Sequence, residues 1–138
     1  MTLGIFENQV EFSNLCNEIA RIDKGIEVVT VLNHKGRVIE LKISNDRIWE
    51  EMTPQKKEMF FMECVLQNRM NMDHDNELGE VKCAILEREK FTLYSFGLVD
   101  HIILVISAPV LDPFGLKNKI MNRIADIKID PYKKENFF

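Results

Sequence analysis

Residues 101–108 read His-Ile-Ile-Leu-Val-Ile-Ser-Ala. The run Ile102 to Ile106 is apolar throughout and mostly β-branched. It has no polar face to offer water, which predicts a strand covered on both sides at the centre of a sheet. Pro109 ends the run, and Asp112-Pro113 opens a helix. The aspartate caps it, and the proline suits a first turn whose N–H would be unpaired anyway. Leu116, Ile120, Ile124 and Ile127 give this helix, predicted over 112–127, a buried stripe. Residues 128–138, with Pro131, read as a weakly held tail.

Residues 26–32, Ile-Glu-Val-Val-Thr-Val-Leu, are β-branched and almost continuously apolar. Asn33-His34-Lys35-Gly36 is a turn, with glycine supplying positive φ. Residues 37–43 follow, with Ile39, Leu41 and Ile43 alternating with Glu40 and Lys42. The pair predicts a hairpin of one doubly buried strand and one half-exposed edge strand. Residues 80–87 place Val81, Cys83 and Ile85 on one face, and residues 90–97 are rich in aromatics. Hairpins join the last three strands, and the two doubly buried strands should be neighbours. The predicted sheet order is therefore 2-1-5-4-3.

Residues 6–22 read as an amphipathic helix through Phe12, Leu15, Cys16, Ile19 and Ile22. Asn8 and Glu11 have capping-box spacing, and Asp23-Lys24-Gly25 predicts a stop with a left-handed glycine. Thr53-Pro54 opens a helix over 54–72. Met59, Met62, Val65, Leu66, Arg69 and Met70 mark one broad face of it, widened by Phe60, Phe61 and Cys64. Five of the seven methionines fall between residues 52 and 72, and methionine adapts to irregular surfaces. A face this wide admits two readings: a helix packed on the sheet through its apolar face, or one whose extra apolar width also serves a subunit contact. The layout is an α/β (α+β) three-layer domain over residues 1–127. Its mainly antiparallel five-stranded sheet carries helices 6–22 and 112–127 on one face and helix 54–72 on the other.

The chain has 138 residues, a formal net charge of −4 and 46% apolar residues. That suits one globular domain with a real core. No apolar run approaches a membrane span, the first residues lack the pattern of a signal peptide, and the acidic balance argues against nucleic acid. Cys16, Cys64 and Cys83 are odd in number and widely spaced, which predicts free thiols in a reducing cytoplasm. His34, His74 and His101 fall in or beside turns and have no metal-ligand spacing. The acidic stretch 73–80 reads as a solvated loop. It has Leu78 where a calcium loop needs glycine, and Ala84 where it needs the closing glutamate. No phosphate-binding loop, nucleophile elbow or other catalytic motif is present. No catalytic residue, cofactor or metal is expected. Residues 46–80 carry net charge −5, which would suit a basic partner surface.

The element order, the Val-Leu-Asn-His-Lys-Gly-Arg-Val-Ile hairpin at 31–39 and the strand 101–108 leading to Asp112-Pro113 resemble the roadblock/LC7 domain, within the profilin-like folds. The resemblance covers residues 10–127. Asn14 to Ile19, with Gly36, also resembles a family of short archaeal (thaumarchaeal-type) proteins. One departure is the turn Glu87-Arg88-Glu89-Lys90, which lacks glycine and asparagine. The resemblance implies a non-catalytic interaction module. Such domains dimerise through the middle helix and the adjacent edge strand, and some regulate Ras-like small GTPases. Carried onto this sequence, the expected interface is Met59, Met62, Leu66, Arg69, Met70, Val81 and Cys83. The expected partners are a second copy and a small GTPase or other protein, with no nucleic acid and no membrane. A small-molecule sensor of PAS/profilin-like architecture is the alternative, with Phe91, Tyr94, Phe96 and the methionines lining a pocket.

Overall fold

Five strands form one antiparallel sheet: β1 (Ile26–Asn33), β2 (Val38–Ile43), β3 (Ala84–Glu87), β4 (Thr92–Gly97) and β5 (His101–Ser107). Their spatial order is β2-β1-β5-β4-β3, as the sequence predicts. The helices are α1 (Thr2–Ala20), α2 (Pro54–Met72), the short α3 (Asp75–Leu78) and α4 (Pro113–Asn136), with one 3-10 turn at Trp49–Glu51. This computed structural model describes the backbone of residues 2–45 and 49–136, and the side chains within 11–45 and 49–126.

The two doubly buried strands pair at the centre and divide the core into two layers. On one face, Val29, Val31, Ile103 and Val105 meet Leu15, Cys16 and Ile19 of α1 and Leu116, Ile120 and Ile124 of α4. On the other, Val28, Leu32, Ile102, Leu104 and Ile106 meet Trp49 and the α2 residues Phe61 and Val65. Alternate residues point to opposite faces of a strand, so each apolar run supplies both layers. Phe91, Tyr94 and Phe96 belong to these cores. Tyr94 and Phe96 are buried beneath α1 and α4, and Phe91 packs beside the α2 layer.

Several local expectations are corrected. The helix expected over 6–22 runs from Thr2 to Ala20, and Gly25 is not left-handed. Its N–H instead donates to the Asp23 carboxylate at 2.7 Å, a side-chain turn that closes the segment without positive φ. In β2, Ile39 does not share a face with Leu41 and Ile43. The register with β1 shifts between Val31 and Leu32, and this bulge sends Ile39 under the α1 side. Val38, Leu41 and Ile43 are left on the α2 side, opposite Leu32, Thr30 and Val28. The strand expected over 80–87 is formed only by Ala84–Glu87, and the acidic stretch 73–80 contains α3 rather than being all loop. Helix α4 runs to Asn136, past the end expected at 127. Asn8, expected to cap the first helix, lies inside it. The stripe position Ile127 and the packing of the tail lie outside the described side chains.

Candidate interaction surface

Helix α2 begins where Thr53 and Pro54 predict. The Thr53 hydroxyl oxygen accepts the Lys56 N–H at 3.2 Å, satisfying one of the orphan donors of the first turn. The helix crosses the sheet on a narrow footing, with only Phe61 and Val65 buried among its described residues. Phe60 and Cys64 are half-buried beside them. Trp49 braces this footing. Its ring lies 5.3 Å from that of Phe61, and the Lys57 ammonium sits 5.0 Å above it.

At about 100° per residue, Met59, Leu66 and Met70 lie roughly opposite Phe61 and Val65, and all three are exposed. Met62 lies toward the β1–β2 turn. There Gly36 has φ +82, and a Cβ on it would come within 3.3 Å of the Met62 Cα. Arg69 also reaches this turn, donating from Nη2 to the His34 carbonyl at 3.1 Å. Three of the seven expected interface residues, Met59, Leu66 and Met70, thus share the uncovered side of α2, while Met62 and Arg69 lie on its flank toward the β1–β2 turn. Val81 lies beside Met72 at the C-terminal end of the helix, lining a shallow groove with it. Cys83 is placed elsewhere: with Ile85, it packs against the core beneath α1 and α4.

Two grooves flank α2. The first, of about 370 Å³, separates it from β3 and β4 and is lined by Phe60, Glu63, Cys64, Leu86, Arg88 and Leu93. Leu86 pairs with Leu93 and so faces α2, yet it is 50% exposed. The far edge of β3 has no strand partner among the described residues. Sequence reading missed Leu86 because it took the Val81–Cys83–Ile85 face as the apolar one. The pairing of Leu86 with an apolar residue on the next strand was the signal available. The second groove, of about 890 Å³, separates α2 from β2. Its apolar lining is Val38, Leu41, Ile43, Trp49, Phe61 and Met62.

The three thiols are held well above neutrality. Burial, with Glu63 adding, pushes the Cys64 thiol up to about 12. Burial, with Glu40 adding, does the same to Cys16. Cys83 rises to about 11 through burial, opposed by a backbone hydrogen bond from Ser95 and by Lys117. A thiol held this far above neutrality is a poor nucleophile. No described helix is long and apolar enough to cross a membrane.

No protein-family model matches the chain, and no curated protein matches it. Solved structures do. The roadblock/LC7 domain from Streptomyces avermitilis superposes with a TM-score of 0.65 at 11% identity, covering 87% of this chain and 95% of that one. MglB from Myxococcus xanthus gives 0.64 at 16% identity, covering 89% and 91%. A structure described as MglB with tetrameric arrangement gives 0.60 at 16% identity, covering 88% of each chain. Element order, sheet order and the placement of helices on both faces agree with this likeness, and the chain has the fold of a roadblock/LC7 domain.

Proposed function

We propose that the chain is a non-catalytic interaction module, a two-fold homodimer built from α2 and the free edge of β3, which as a pair regulates a Ras-like small GTPase in the cytoplasm. The observation that carries this reading is the groove between α2 and β3. Phe60, Cys64 and Leu86 line its apolar part, and a strand edge unpaired among the described residues borders it. An apolar strip beside an open edge is a surface that water covers poorly and a second strand and helix cover well. Glu63 and Arg88 line the same groove without an ion pair between them among the described residues. A two-fold axis can set each against the other's counterpart on the partner. Met59, Leu66 and Met70 extend the apolar surface outward for a further protein. The structure described as MglB with tetrameric arrangement supports assembly as a habit of this fold. The GTPase rests on the resemblance to roadblock domains.

Static light scattering on the concentrated protein tests the dimer. At least two chains per particle are expected, and a single chain at high concentration contradicts the reading. Affinity purification followed by mass spectrometry tests the partner. Recovery of a small GTPase is expected, and its loss in Leu66→Asp would place it on α2. Recovery of none contradicts that part.

A further inference from the structure

The groove on the other flank of α2 has no role in this dimer. Its floor is the α2-side face of β2, where Val38, Leu41 and Ile43 are 44%, 38% and 37% exposed. That is unusual for three apolar residues of a six-residue strand, and β2 is the other open edge of the sheet. The Ile39 bulge leaves residues 40–43 as a regular segment centred near Leu41.

We propose that the β2 edge and its groove are a second docking surface for another copy of this chain, related by a two-fold axis through Leu41. Charge complementarity identifies the occupant. In an antiparallel β2–β2 pair with that axis, Leu41 faces its own counterpart, and Glu40 stands opposite Lys42 of the other copy in both directions. Opposite charges at facing cross-strand positions are stabilising, and like charges there are not. An edge lysine repels an arbitrary strand. Here it selects one that offers a carboxylate at the matching position.

The groove agrees with the same axis. Its end at the β1–β2 turn is lined by Lys35 and Arg37. Its other half, toward Trp49 and the start of α2, is lined by Glu50 and Glu58, with the Lys57 ammonium held over the Trp49 ring. Lys35, Arg37, Glu50 and Glu58 are exposed and make no ion pair among the described residues. The axis that pairs Glu40 with Lys42 brings the basic end of one groove beside the carboxylate half of the other. Strand charges and groove charges thus call for one geometry, and the exposed apolar floor is covered by its counterpart.

The test is charge reversal with complementation, read by sedimentation velocity on the full chain. Lys42→Glu and Glu40→Lys should each lower the mass per particle at least twofold, since each sets like charges opposite one another. An equimolar mixture should regain the original mass. The double variants Lys35→Glu/Arg37→Glu and Glu50→Lys/Glu58→Lys should behave the same way, and their exposed positions spare the core. If the α2–β3 dimer also forms, the unaltered protein exceeds two chains and the variants fall to two. If that dimer fails, the steps run from two chains to one. Unaltered mass in the reversed variants, or mixtures that do not regain it, overturns the proposal.

Discussion

His101 opens the central strand and packs at a tilt against Phe12 of α1, with ring centroids 5.0 Å apart. Burial lowers its pKa below the ordinary 6.5, with His34 adding to the effect and Asp100 opposing it. The folded imidazole therefore stays neutral to lower pH than the unfolded one. Acidification below about 6.5 protonates the unfolded chain first, and stability falls as the pH drops. Melting temperature measured from pH 7 to pH 5 should decline less in His101→Phe, which keeps the ring contact and removes the titration. An equal decline in both proteins would assign the pH dependence to other groups. The thiols give a second residue-level expectation. With Cys16 and Cys64 held near 12, both should react with iodoacetamide at pH 8 far more slowly in the folded chain than in urea. Such environments are not written in the sequence. Cys16 and Cys64 could be read as small buried residues from apolar periodicity. The placement of Cys83 could not, because it depends on which face of β3 meets which helix.

At the scale of elements, the β1–β2 turn fastens the sheet to α2. Gly36 must hold φ +82 with its α-carbon against Met62. Gly36→Ala should cost roughly 1–2 kcal/mol through the left-handed backbone alone, plus the displacement of α2, measured by urea unfolding. Thr53→Ala removes the cap of α2 and should cost about 1 kcal/mol. If Gly36→Ala proved the milder of the two, the contact with Met62 would not be holding the helix. The elements that could be read in advance were those with unambiguous chemistry. Two almost continuously apolar strands marked the centre of the sheet, and two cap-plus-proline pairs marked the starts of α2 and α4. The bulge at Ile39 was hidden because alternation continues across it in the sequence, while the pairing with β1 slips by a residue. The apolar face of β2 was therefore assigned to the wrong residues, and the groove it forms could not be anticipated. Helix α4 shows a limit of another kind. Pro131 signals a stop in the sequence, but the backbone continues through it to Asn136.

For the whole molecule, the two faces of the sheet differ in how much apolar surface they leave uncovered. The layer beneath α1 and α4 is broad and closed. The layer beneath α2 rests on Phe61, Val65 and Trp49, and α2 stands between two open grooves that each end at a free strand edge. The wide apolar face of α2 was legible in the sequence. Which part of it is core was not, since Met62, Val65 and Leu66 look alike until the sheet is in place. Light scattering on a chain carrying Lys42→Glu, with and without Leu86→Asp, tests the α2–β3 pair by itself. Lys42→Glu silences the β2 edge, so any remaining pair must use α2 and β3. Two chains per particle are expected with Lys42→Glu alone, and one chain once Leu86→Asp is added. A single chain in both proteins, or two chains in both with the fold intact by circular dichroism, would contradict that pair.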